Sequence, residues 1–256
     1  MTMQLQKTSI DNIITPITGR AGFVQSAIGG TQCRTCNIRG GCLVEQLNKT
    51  QDHSLRVAKN RRELSKDEHV FHGGDDTNAI YIVSRGSLKS YMLMENGEEQ
   101  ILDFYTAGDV FGLDAMGSNC HISSTVALET TVICKLPLYE LQQRALGQEF
   151  FSMISENLLR DHNQMLMLAR KGADGRLASF FMNMSERSRK SNQAFDEIIL
   201  SMTRRDIANY LGMAIETVSR TLRRFQDSGM LEVTQRKVKI YDFDKLMVIA
   251  GTQAIC

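Results

Sequence analysis

The chain has 256 residues, 42% of them hydrophobic and 23% charged, with a formal net charge of +1. That length accommodates two domains with separate cores, and near-neutrality excludes a globally basic surface, so contact with nucleic acid must rest on a local patch. No apolar run approaches the roughly 18 residues of a membrane span, and the opening MTMQLQKTSIDNIITPITGR has no basic-then-apolar leader, so the expected location is the cytoplasm with no membrane partner.

Residues 1–32 read as irregular and close at Gly29-Gly30. The stretch CRTCNIRGGC then puts Cys33, Cys36 and Cys42 close together, whereas Cys120, Cys134 and Cys256 are distant. Stable disulfides are rare in a reducing compartment, so metal or redox chemistry is favoured over a disulfide framework. A metal site would need a distant cysteine to fold back as fourth ligand, and four thiolates suit zinc or iron–sulfur alike.

From Val70 to Leu138, short β-like segments alternate with turns: AIYIVSRGSLKSYMLM, QILDFYTAGDVFGL and STVALETTVICKLP. Gly73-Gly74-Asp75-Asp76, Arg85-Gly86, Asn96-Gly97 and Gly108-Asp109 supply the turn chemistry. This spacing predicts a small sandwich or barrel, with bounds 49–139 after an N-terminal cysteine segment, 1–48.

Beyond Pro137 the period becomes helical. Phe151, Ile154, Leu158, Met165 and Leu168 form a heptad-like seam, with Asp161 filling its gap, inside a helix placed at 140–171. Such a seam belongs to a core helix or to a homodimer helix. Its place between two domains, and the acid on it, favour the homodimer.

The C-terminal part, 172–256, holds MTRRDIANYLGMAIETVSRTLRRFQDSGMLEV. Thr203 and Asp206 read as a capping box opening a helix that buries Ile207, Tyr210 and Leu211, with Gly212 as the turn. A second helix, Ile215 to Phe225, buries Val218, Leu222 and Phe225 and shows Glu216, Ser219, Arg220 and Arg223 on its other face. Two short helices around a glycine predict a helix-turn-helix, and LEVTQRKVKIYDF after it reads as a wing. Arg220 suits the major-groove edge of guanine, Glu216 a cytosine amine, and Ser219 either strand. Arg204, Arg205, Arg223 and Arg224, with Thr203 beside them, are placed for the DNA backbone.

On these residues the chain resembles the FNR type of the CRP/FNR transcription regulators. The match is strongest in MTRRDIANYLG, IETVSR and RFQDSGML, with SRGSLKSY, NGEEQILDF and ALETT in support. The resemblance implies an α+β architecture: an N-terminal β-roll of the cyclic-nucleotide-binding kind, a long dimerisation helix and a C-terminal winged helix-turn-helix. It also implies a homodimer whose Glu216, Ser219 and Arg220 read a TTGAT half-site, and a contact between the Asn96–Gln100 turn and RNA polymerase. FNR-type members hold a [4Fe–4S] cluster with three N-terminal cysteines and one from the β-roll. The spacing of Cys33, Cys36 and Cys42 fits that loop, and ALETTVICKLP puts Cys134 at the fourth position, with Cys120 as its rival. The stretch that binds a cyclic nucleotide in CRP corresponds to Gly108–Thr131, which contains no arginine, so a phosphodiester has no guanidinium partner there. One departure is Gly40-Gly41 before Cys42, where family members carry an apolar shield. The expected function is oxygen sensing coupled to DNA binding. The alternative is a CRP-like regulator whose cysteines hold zinc or sense another redox signal. Five scattered histidines and no catalytic motif argue against an enzyme.

Overall fold

The structure, a computed structural model, describes residues 38, 42, 43, 61–142, 147–190 and 194–251. Cys33, Cys36, Gly40, Gly41 and Cys256 lie outside the described residues.

The N-terminal unit is a β-roll of eight strands: β1 (Arg61–Leu64), β2 (His69–Phe71), β3 (Ala79–Arg85), β4 (Ser87–Leu93), β5 (Glu99–Thr106), β6 (Val110–Phe111), β7 (Ser124–Ala127) and β8 (Thr131–Pro137). They form two antiparallel sheets, ordered β1-β8-β3-β6 and β2-β7-β4-β5. Leu64, Phe71, Val83, Leu88, Phe111 and Ile133 fill one shared core. The three β-like segments read from the sequence become β3–β4, β5–β6 and β7–β8. Gly86 at the β3–β4 turn has φ +87°, and a Cβ there would meet the Thr130 carbonyl oxygen at 2.7 Å, so the turn requires glycine. Strand β1, RREL, was not foreseen because its charges hide the alternation. Arg62 is inward but paired, its guanidinium reaching the Glu68 carboxylate at 2.6 Å and the His69 carbonyl at 3.2 Å.

After the short helix α1 (Leu138–Gln142), the 23-residue helix α2 (Gln148–Arg170) crosses the molecule. Its first turns bury Phe150 and pack Met153 on the β-roll, in a cluster with Ile80, Ile82, Val110 and Leu136. Its last turns bury Met167 and pack Leu168 on the C-terminal unit. Between these anchors Phe151, Ile154, Leu158 and Met165 stay exposed, at 60%, 37%, 54% and 64%. The predicted seam is therefore present as an open apolar stripe, with one correction: Leu168 packs against the C-terminal core, which α2 meets in its last turn.

The C-terminal unit comprises α3 (Ala173–Lys190), β9 (Glu197–Ile199), α4 (Arg204–Tyr210), α5 (Ile215–Asp227), β10 (Leu231–Thr234), β11 (Lys237–Ile240) and α6 (Phe243–Ala250). The predicted wing is the β10–β11 hairpin, turning at Gln235 with φ +56°, and β9 adds a third strand in the order β10-β11-β9. The α+β plan of roll, long helix and winged helix-turn-helix is thus the observed one.

Candidate functional site

Helix α4 opens as its sequence predicts. The Thr203 hydroxyl accepts from the Asp206 backbone N–H at 3.1 Å, and the Thr203 N–H donates to the Asp206 carboxylate at 2.9 Å. Thr203 also donates its hydroxyl proton to Asp206 at 2.6 Å, so this exposed side chain is engaged in the cap. Burial raises the Asp206 pKa, but the Thr203 bonds and Lys89 outweigh it and hold the carboxyl below its usual range. Gly212 makes the turn at φ +59°. Ile207 and Leu211 are buried, and Tyr210 is half-buried.

Helix α5 has one buried face of Val218, Thr221, Leu222 and Phe225. Glu216 and Arg220 project from the opposite face, exposed, and among the described residues neither has a hydrogen bond or ion pair within the chain. Ser219 sits half-buried beside them. Arg204, Arg205 and Arg223 are exposed around this face, Arg223 with only a long 3.9 Å approach to Asp227. Arg224 differs from expectation. It is turned toward α3, where its guanidinium meets the Asp174 carboxylate and the Thr221 hydroxyl. Its charge therefore has a carboxylate beside it, whereas that of Arg223 has only the long approach to Asp227.

Sequence reasoning missed how this face is held. Arg176, in the first turn of α3, donates to the Leu168 and Lys171 carbonyls at 2.8 and 2.9 Å, and to those of Leu211 and Gly212 at 2.9 and 3.1 Å. One guanidinium thus joins the end of α2 to the turn between α4 and α5. The pattern GRLASFF gave no local sign of this, because all four acceptors are backbone oxygens.

The cysteines lie at the other end of α2. Cys134 is on β8, opposite Ile82 and Arg61 in the sheets, and is 8% exposed. Its neighbours are Leu43, Ile80, Ile82, Val110, Leu136, Leu141 and Phe150, and Cys42 and Met153 pack against the same cluster. The fold therefore brings one N-terminal cysteine, the β8 cysteine and the base of α2 together. Ile38, between Cys36 and Cys42, is buried, and its side chain faces Gly108. Cys120 belongs elsewhere, in a loop bridged to Asp76 and outside that cluster. Among the described residues no three His, Cys, Asp or Glu side chains form a metal-holding group.

The segment corresponding to a nucleotide-phosphate cradle is occupied by the chain itself. Asp114 accepts from the backbone N–H groups of Ile122 and Ser123 at 3.0 and 3.2 Å and from the Ser123 hydroxyl at 3.0 Å. Its other oxygen meets Nδ1 of His121 at 3.0 Å. His121 is 2% exposed and stacks on Phe71, with ring centroids 3.5 Å apart. Successive backbone N–H groups converging on one oxygen make an anion nest, here filled by a carboxylate. Burial raises the Asp114 pKa, but the His121 and Ser123 bonds prevail and keep it below the ordinary 3.8.

Comparison with known proteins agrees with this geometry. Residues 61–145 match the model of the cyclic nucleotide-binding domain, and residues 175–249 match that of the Crp-like helix-turn-helix domain. The chain is 37% identical over 234 residues to the fumarate and nitrate reduction regulatory protein of Salmonella typhi, covering 89% of this chain and 94% of that one. The protein of the same name from Escherichia coli K12 is 36% identical over the same span. Among solved structures, FixK2 from Bradyrhizobium japonicum superposes with a TM-score of 0.69 at 28% identity, covering 76% of this chain and 98% of that one. CooA from Carboxydothermus hydrogenoformans, at 22% identity, 81% and 95% coverage and a TM-score of 0.60, shares the fold.

Proposed function

Because the chain belongs to the CRP/FNR family of transcription regulators, we propose that it is a cytoplasmic, oxygen-responsive member serving anaerobic metabolism. In this reading Cys33, Cys36, Cys42 and Cys134 hold a [4Fe–4S] cluster, which when bound supplies an iron–sulfide centre that oxygen destroys. The observation that carries the proposal is the shared packing of Cys42, Cys134, Phe150 and Met153. Thiols that draw together there tighten the floor on which α2 stands. The donor set fits: thiolates are the soft ligands such a cluster takes, and Cys42 packs against the hydrophobic cluster that holds Cys134.

Helix α2 then pairs with its copy along Phe151, Ile154, Leu158, Asp161 and Met165, which leaves two α5 helices to read a palindrome of TTGAT half-sites. Glu216, Ser219 and Arg220 face the bases, and Arg204, Arg205 and Arg223 the phosphates. The tip at Asn96–Gln100 is exposed and charged, which suits a contact with RNA polymerase. The filled nest at Asp114 supports a regulator that takes no cyclic nucleotide, since a phosphate would have to displace a bonded carboxylate. The proposed divisions remain a cysteine segment at 1–48, a β-roll at 49–139, a dimer helix within 140–171 and a DNA-binding unit at 172–256.

The test is a serine scan of all six cysteines, with iron and sulfide measured after anaerobic reconstitution. Cys33, Cys36, Cys42 and Cys134 variants should lose the cluster, and Cys120 and Cys256 variants should keep it. A Cys134→Ser protein with full iron content would overturn the ligand set.

A further inference from the structure

Four charged side chains meet where the β-roll, α2 and α3 converge. Arg160 of α2 approaches the Asp103 carboxylate on β5 at 3.4 Å and that of Asp109, in the β5–β6 turn, at 3.3 Å. Arg187 of α3 reaches Asp103 at 3.6 Å, and its other nitrogen contacts Asp109 and the Phe104 carbonyl. All four side chains are 20% exposed or less. The box is electrically neutral, yet each carboxylate is shared by two arginines from different helices.

Beside it the winged unit is seated on the same strands. Asn209 of α4 accepts from the Ile101 N–H at 2.7 Å and donates to the Glu99 carbonyl at 2.7 Å. Lys89 on β4 reaches Asp206 at 3.1 Å, and Tyr210 packs on Phe104 with centroids 5.1 Å apart. In this seated arrangement the Glu216 and Arg220 face of α5 remains exposed, so seating and DNA reading are compatible.

We infer that Arg160 and Arg187 are positioning residues for DNA binding, fixing the winged unit against α2 within one protomer through the carboxylates of Asp103 and Asp109. The physical reason is the cost of disengagement. If α3 moved independently of α2, Asp103 and Asp109 would be left with the one guanidinium of Arg160 between them in a poorly hydrated site, and an uncompensated buried charge is strongly unfavourable. The helix carrying the open seam therefore also sets the seat of the reading helices. Burial opposes charge on Asp109, but the two guanidiniums prevail and hold its carboxyl below the usual range.

The inference rests on the reading of α2 as the dimer helix, and its test separates the two. Full-length, anaerobically purified protein is compared as wild type, Arg160→Gln, Asp103→Asn and the double variant. Each single change leaves a net charge in the box and should lower the melting temperature. The double change restores neutrality and should return stability, with Arg187 and Asp109 still paired. A purely structural role predicts that function returns with stability. Positioning predicts that it does not: the double variant should bind a duplex bearing TTGAT about tenfold more weakly than wild type, and residues 203–211 should exchange amide hydrogens faster. Arg160→Lys, which keeps the charge, should recover part of both. Wild-type exchange rates across 203–211 in the double variant, or wild-type DNA affinity with restored stability, would overturn the inference. Sedimentation addresses the other reading: a wild type that never dimerises sinks the dimer helix, while the exchange comparison within one protomer stands.

Discussion

Replacing Asp114 by Ala should be among the most destabilising single changes in the β-roll, although Asp114 touches none of the proposed ligands. The carboxylate receives three bonds from Ile122 and Ser123 and one contact from His121. Bonds to an ionised group contribute about 1.5–3 kcal/mol each, but the Asp114 side chain is 18% exposed and water partly substitutes. The discounted sum is about 3–4 kcal/mol for alanine and about 1–2 kcal/mol for Asn, which keeps the shape and one acceptor oxygen. Urea unfolding of the anaerobic protein reads the sum, and exchange at residues 116–123 localises it. The effect should depend on pH in a fixed direction. The folded pKa lies below the unfolded value, so the stabilisation is present above the ordinary carboxylate pKa and is lost as pH falls through the folded one. The difference between wild type and Asp114→Ala should therefore shrink on acidification below pH ~4. An Asp114→Ala protein within about 0.5 kcal/mol of wild type at neutral pH, or a difference that grows in acid, would refute the filled-nest argument.

Further expectations concern the reading face and the seam. Arg220→Ala should cost about 1–3 kcal/mol and relax preference at one base pair, whereas Arg223→Ala should weaken binding to every sequence and flatten its salt dependence. Arg224→Ala should do less than Arg223→Ala because Asp174 already holds Arg224; titrations at several salt concentrations distinguish all three. Asp161→Ala should strengthen the dimer of cluster-free protein in sedimentation, since burial and the Asp103 carboxylate push Asp161 up and its charged form opposes association. By the same sign, acidifying wild type through the raised pKa should favour the dimer, and an Asp161→Ala protein that shows no such pH response completes the check.

The helix-turn-helix was legible almost to the residue because its signals are local: a cap, a glycine turn and a face repeating at helical spacing. The roll was legible from its turns, except where paired charge masked alternation, as at Arg62. What could not be read was whatever depends on tertiary convergence. Asp103, Asp109, Arg160 and Arg187 are scattered along the chain and look like solvated charges until the fold gathers them. Asp114 passes for a turn residue until its two backbone donors are seen. Nor does the sequence disclose that Asp206 already bonds Thr203 and that Asp174 already bonds Arg224. The resemblance pointed to Cys134 rather than Cys120, and the fold adds a physical reason: strand β8 carries Cys134 into the apolar floor under α2, while the Asp76 bridge keeps Cys120 away.

Helix α2 is packed at both ends, and between them Arg160 and Gln164 tie one side of it to the β-roll while the seam side stays open, so it carries the position of one end to the other as a rod. Its 23 residues span about 35 Å at 1.5 Å per residue. A tilt of about 10° at the Phe150 end would carry the Leu168 end, about 27 Å away, through about 5 Å, roughly one and a half base-pair steps along DNA. Because Arg176 bonds that end directly to the turn between α4 and α5, little of the stroke would be lost before the reading helix. A change of tilt at the floor formed by Cys134, Phe150 and Met153 is thus passed along the helix to the turn between α4 and α5.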